Sequence, residues 1–218
     1  MSKNLKLFVG VSIFYLLLLL LDKIDFAWYL KPVLVPFLIY ETFTAATFKT
    51  KKILLSALFF SWVGDVVLMF ADKGELYFIF GLVSFLIAHI LFIVLFSKQE
   101  KVRPDSKLLV GGVLLVVLYL WGMLYVLFPS LGDLKIPVTV YASTISLMFI
   151  MAIKGYFNWK TPHNVTILLG AIFFVCSDSI LAINKFHMEL PKSGFLIMST
   201  YITAQFLITK GILNLNKQ

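Results

Sequence analysis

The sequence predicts an all-α polytopic membrane protein, a bundle of about eight transmembrane helices. Three observations carry that reading. Of 218 residues, 61% are hydrophobic and only 14% are charged, whereas a soluble domain is about half apolar and about a quarter charged. The mean hydropathy is +0.97. The apolar residues also fall in long continuous runs. A closed β-barrel, the other fold that satisfies its backbone inside lipid, would show short segments of alternating polarity.

A spanning helix needs about 20 mostly apolar residues. Stretches of that kind follow one another at 5–21, 30–48, 53–71, 76–97, 108–128, 136–154, 165–184 and 194–213. The first opens on Lys3 and Lys6 before "LFVGVSIFYLLLLLL", a pattern shared with signal peptides. Because "DKIDFAWYLK" follows with no small-residue cleavage site, it reads as a retained helix. The second stretch holds Lys31, Pro32, Pro36 and Glu41, and the sixth is polar for a span, so these are the weakest. The loops are short, and the chain reads as a single transmembrane domain over 1–218.

The net charge is +8. The basic residues sit in short loops between apolar runs, so membrane orientation explains them better than a nucleic-acid partner does. Of the 19 basic residues, thirteen fall on one side, among them Lys49, Lys51, Lys52, Lys98, Lys101, Arg103 and Lys107. That side reads as cytoplasmic and takes both termini. The Lys-, Ile- and Phe-rich composition and minimal loops point to a bacterial inner (cytoplasmic) membrane. The lone cysteine, Cys176, rules out an intrachain disulfide or a CxxC metal site and reads as core filler. His89, His163 and His187 form no HExxH, and no metal or cofactor is implied.

Aspartates stand in two of the apolar runs. "FFSWVGDVVL" carries Asp65 and "IFFVCSDSIL" carries Asp178. Downstream, "FLIAHILF" (85–92) resembles "YITAQFLI" (201–208), matching His89 to Gln205. Upstream, "LKPVLVPFLIY" (30–40) echoes "LKIPVTVYAST" (134–144). These matches suggest a weak parallel repeat, with halves at about 1–105 and 106–218.

An ionisable group at a helix centre costs on the order of 2.5–3.5 kcal/mol to insert. Such groups face the bundle interior, find partners and mark function. With Asp65 and Asp178 each two-thirds along their helices, both fall at similar depth. Lys31 at the start of helix two and Tyr141 early in helix six come from the same side, with His89 and Gln205 below. Ser61, one turn before Asp65, and Ser177, beside Asp178, complete the candidate set, while Gly64 allows close approach. Each residue also has a purely structural reading. The alternative for the aspartates is interhelical glue, and for His89 and Gln205 satisfied hydrogen bonding. Lys31 reads as a snorkelling end residue, and Tyr141 as part of an aromatic belt. The sequon "NVT" at 164–166 falls at the cytoplasmic end of helix seven and is discounted.

Paired carboxylates in a low dielectric supply an acid and a base together. Glycosidases use such a pair at an oxocarbenium-like centre. A proton-coupled lipid or small-molecule transporter would use it as a relay, which is the alternative reading. No G-x-S-x-G nucleophile elbow occurs. The G-x-G-D motif of intramembrane aspartic proteases is also missing, because Trp62 stands where its first glycine belongs.

At these residues the chain resembles the YhhN/TMEM86 family of lysoplasmalogenase-like membrane proteins. The matching pieces are "KP" (31–32), "FSWVGDVVLM" (60–69), "GLVSFLIAHILF" (81–92), "PVTVYA" (137–142), "GAIFFVCSDSILA" (170–182) and "YITAQFLI" (201–208). Phe92 departs from the pattern, where a tyrosine is expected. The resemblance implies eight helices and hydrolysis of the vinyl ether of a lysophospholipid substrate drawn from the membrane lipids. That reaction fits the polar residues read above: Asp65 and Asp178 are the expected catalytic groups, and Lys31, His89, Tyr141, Gln205, Ser61 and Ser177 are expected to bind substrate.

Overall fold

The computed structural model describes residues 2–104 and 106–217. Among these residues the chain forms eight α-helices and no strand. They are α1 (Lys3–Leu20), α2 (Ile24–Thr44), α3 (Lys51–Leu68), α4 (Glu75–Ser97), α5 (Leu108–Leu127), α6 (Lys135–Asn158), α7 (His163–Phe186) and α8 (Ser193–Leu215). Six of them, α1 and α4 to α8, are long and apolar enough to cross a membrane. The chain is therefore an integral multi-pass membrane protein. The remaining helices each carry three charges: Asp25, Lys31 and Glu41 in α2, and Lys51, Lys52 and Asp65 in α3.

The helices group into two compact units, one ending at Leu95 and the other running over Phe96–Asn216. In the first unit, the Ser2 hydroxyl caps α1 by accepting from the Leu5 N–H at 3.2 Å. The other end of α1 closes in a Schellman motif. Asp22 takes the left-handed conformation at φ 57°. Its N–H donates to the Leu19 carbonyl at 3.3 Å, and the Lys23 N–H donates to Leu18 at 2.8 Å. This tight turn lets α2 begin at Ile24, six residues before the expected start at 30. Lys31 is consequently about two turns inside α2 and not at its end.

α2 contains Pro32 and Pro36. Pro36 has no N–H, so the Pro32 carbonyl four residues earlier loses its helical donor. Trp62 on α3 supplies one instead, its indole Nε1–H donating to the Pro32 oxygen at 2.8 Å. α3 meets α4 through glycine: a Cβ on Gly64 would lie 2.6 Å from the Phe85 ring. Below it the Ser84 hydroxyl donates to the Phe60 carbonyl at 2.7 Å.

In the second unit α7 and α8 share the most extensive contact. A Cβ on Gly170 would lie 2.9 Å from the Ile208 nitrogen and 3.1 Å from the Ala204 oxygen. These backbones thus approach closely, as small residues permit in membrane helix pairs. Cys176 is exposed on α7, which corrects its reading as core filler. Phe174 and Ser177 take the inner face, so position 176 turns outward. Asn164 of the sequon is buried, its side-chain amide donating to the Tyr156 carbonyl at 2.6 Å.

Candidate functional site

In the first unit the polar residues gather around Asp65, which is 4% exposed. It lies in the last turn of α3, three residues before Leu68, and so nearer the helix end than two-thirds along. Lys31 from α2 is half-buried and electrostatically coupled to Asp65. Tyr15 from α1, a buried residue, lies in the same field. Ser61, one turn before Asp65, is fully buried, and its hydroxyl has no hydrogen-bond partner among the described residues. His89 on α4 is fully buried. Glu41, farther along α2, accepts from the Asn4 side-chain amide at 3.1 Å and so links α1 to α2.

In the second unit the centre is Asp178 on α7, which is half-buried. The Tyr141 hydroxyl on α6 donates to its Oδ2 at 2.6 Å. Tyr201 of α8 is coupled to Tyr141. Its hydroxyl accepts from the Gln205 Nε2 at 3.2 Å. Gln205 is fully buried, and its Oε1 has no hydrogen-bond partner among the described residues. From α5, Tyr119 hydrogen-bonds to Ser179 and lies in the field of Asp178. Ser177 donates to the Ile197 carbonyl at 3.1 Å, so its hydroxyl ties α7 to α8.

The structure thus joins Tyr141 to Asp178 by a hydrogen bond, places Lys31 in the field of Asp65, and joins Gln205 to Tyr201. Sequence reasoning missed Tyr15, Tyr119, Tyr201 and Ser179. A signal for the first two was present: both lie mid-run, whereas aromatic-belt tyrosines sit at helix ends. Chemically, the first cluster buries a carboxyl group in the field of Lys31 and Tyr15, and the second gives a half-buried carboxyl group a phenol donor. Among the described residues no group of three or more His, Cys, Asp or Glu side chains is placed to hold a metal ion.

Comparison with known proteins gives the lineage. Human lysoplasmalogenase TMEM86A is 36% identical over 157 residues, which cover 69% of this chain and 61% of that protein. The lysoplasmalogenase of Mycobacterium tuberculosis is 31% identical over 165 residues, covering 75% of this chain and 61% of its own. Human lysoplasmalogenase TMEM86B is 32% identical over 168 residues, covering 74% and 64%. In each case the match spans less than two thirds of the relative's own length. No solved structure matches the chain. The YhhN family model matches residues 26–212, which hold Lys31, Asp65, Tyr141 and Asp178 alike, and the chain belongs to the YhhN family.

Proposed function

We propose that this membrane protein is a lysoplasmalogenase, hydrolysing the vinyl ether bond of alkenyl-glycerophosphoethanolamine or alkenyl-glycerophosphocholine. The products are a fatty aldehyde and glycerophosphoethanolamine or glycerophosphocholine. The reading rests first on the relatives' names, all lysoplasmalogenases. The structural observation that carries it is an acid with a bound proton donor inside an apolar helix, Asp178 with the Tyr141 hydroxyl at 2.6 Å.

A vinyl ether hydrolyses by protonation at its β-carbon. The resulting oxocarbenium ion is captured by water as a hemiacetal, which collapses to aldehyde and alcohol. The sequence of steps needs a proton donor, a negative group facing the cation and a base for the water. Asp65 and Asp178 are the proposed carboxyl groups for these roles. Lys31, a cation on α2, is the proposed partner of the lipid phosphate, a usual duty for lysine as a point charge. The apolar helix faces hold the alkenyl chain. In this reading the protein resides in a bacterial cytoplasmic membrane and takes its substrate from the lipid phase.

The test is aldehyde release by the purified protein, assayed on a lysoplasmalogen and on an ester lysophospholipid of equal chain length. Aldehyde from the vinyl ether alone is the expected result. Transmembrane flux of the lipid in liposomes with no aldehyde formed would instead establish a transporter.

A further inference from the structure

We propose that the second unit opens at its α7–α8 turn as a water-filled cleft with Asp178 at the floor, and that the polar glycerophospho head of the lysolipid enters and leaves through it. The identity of the occupant rests on the lysoplasmalogenase reading, whereas the cleft rests on where burial stops along three helices. On α7, Ile167, Ala171, Phe174, Asp178, Leu181 and Lys185 recur at helical spacing and share one face. Ile167, Ala171 and Phe174 are fully buried. Asp178 and Leu181 are half-buried, and Lys185 is exposed. This opening is not the outer face of the helix. The exposed stripe of α7 runs through Val165, Leu169, Ile172 and Cys176, on the opposite side.

The flanking helices lose their burial at the same level. On α6, Met148 and Ile145 are buried, Tyr141 is half-buried and Pro137 is exposed. On α8, Ala204 and Tyr201 are buried, Ile197 is half-buried and Gly194 is exposed. Three contacts tie these levels together. The Tyr141 hydroxyl donates to the Asp178 Oδ2 at 2.6 Å. The Ser177 hydroxyl donates to the Ile197 carbonyl at 3.1 Å. One turn deeper, the Phe174 and Tyr201 rings meet edge-on with centroids 5.7 Å apart. The other end of the same helices is closed. There Asn158, Asn164 and Ile212, each in a terminal turn, are at most 1% exposed. A plain end effect would loosen both ends alike.

An ionisable group within a membrane helix faces the bundle interior or a water-filled cavity. Asp178 sits where the one passes into the other. Hydrolysis consumes water and leaves one polar product that carries the phosphate. Beyond Phe174 the packed stripe blocks both, so the route runs toward the α7–α8 turn. The axial rise from Asp178 to Lys185 is about 10 Å, enough for a glycerol chain and its phosphate. The vinyl ether therefore lies at the floor with the phosphate toward the mouth. The lysolipid comes from the leaflet on the side of that turn.

The experiment uses the full chain with Cys176→Ser, which removes the lone cysteine. Single cysteines then replace Leu181 and Ile197 in the cleft walls, Ala171 below the floor and Leu169 on the exposed stripe. Lys192→Cys and Lys160→Cys mark the two ends of the unit. The probe is a cationic, membrane-impermeant methanethiosulfonate, which reacts with the thiolate and so needs water at the sulfur. Leu181→Cys and Ile197→Cys are expected to label at least about tenfold faster than Ala171→Cys and Leu169→Cys. In sealed vesicles they should label from the same side as Lys192→Cys. A non-cleavable alkyl-ether lysophosphoethanolamine should slow their labelling several-fold. Two wall positions keep the test decisive if one variant misfolds. The cleft is overturned if folded wall variants label as slowly as Leu169→Cys, or from the side of Lys160→Cys. Fast labelling with no protection by the lysolipid overturns the occupant, whether or not the Cys176→Ser chain releases aldehyde. Protection without aldehyde release supports the cleft and its occupant and removes the hydrolase reading alone.

Discussion

In the first unit a cation stands near the carboxylate; in the second, phenols do. Asp65 on α3 lies in the fields of Lys31 from α2 and Tyr15 from α1. Asp178 on α7 accepts from Tyr141 of α6 at 2.6 Å and feels Tyr119 of α5. The order is the same in both. The first helix of each set gives a tyrosine, the second gives a second partner and the third gives the aspartate. What changes is the partner's chemistry. Asp65 lies in the field of a cation, whereas Asp178 accepts a directional hydrogen bond from a phenol. The aspartates are therefore not interchangeable, although the sequence around each looks alike.

The strongest test of that difference removes each carboxylate in turn. Asp65→Asn and Asp178→Asn are both expected to lower aldehyde release by about 10²–10⁴-fold, the usual contribution of a general acid or base. Their stabilities should differ. Asp65→Asn leaves the half-buried Lys31 without its counter-charge, at about 1–3 kcal/mol. Asp178→Asn leaves only a neutral phenol. Adding Lys31→Met to Asp65→Asn should then restore the melting temperature in detergent and leave activity lost. If the two Asn variants melt together, the electrostatic contrast is wrong.

A smaller effect separates the tyrosines. Tyr141→Phe removes a direct donor to a carboxyl group, worth about 1.5–3 kcal/mol. Aldehyde release should fall about 10- to 100-fold if that bond persists in the transition state. Tyr15→Phe removes a group that acts on Asp65 through its field, and turnover should change only a few-fold. Equal losses in steady-state rate would erase the distinction between the units.

The sequence showed the helices clearly because apolar runs and short polar breaks are forced by the bilayer. It misplaced the start of α2 because "DKID" looks like a loop, and only the left-handed Asp22 makes so short a turn workable. Lys31 was moved inward by the same turn. Asp65 and Asp178 stood out because charge is costly in lipid. Tyr15 and Tyr119 did not, since a phenol blends into an apolar run and its partner comes from a distant part of the chain. Cys176 was misjudged because which way a position turns on α7 depends on where α8 packs.

The units also differ in how their helices approach. Gly170 faces α8 backbone, which cannot yield, while Gly64 faces the Phe85 ring, which has some freedom to turn. Gly170→Ala is expected to destabilise by about 1–3 kcal/mol, the cost of overpacking a dense interior, and Gly64→Ala by less. Thermal unfolding in detergent measures both, and the reverse order would show that the α7–α8 backbone approach is not the tighter constraint.

The smallest expected effect concerns the link that sets α2 against α3. Trp62 occupies the carbonyl that Pro36 releases, with 2.8 Å between its Nε1 and the Pro32 oxygen. An interhelical hydrogen bond in a membrane averages about 0.6 kcal/mol, so Trp62→Phe alone should lower stability by about that much. Pro36→Ala restores a backbone N–H four residues after Pro32 and gives that carbonyl its helical donor back. On the Pro36→Ala background, Trp62→Phe should then cost almost nothing at the carbonyl, because the indole no longer has a vacant acceptor to fill. The double-mutant cycle isolates this coupling from the packing lost with the larger ring. A coupling energy of zero would mean that Trp62 holds α3 to α2 by packing alone. In that case the alignment of Lys31 with Asp65 would owe nothing to the proline.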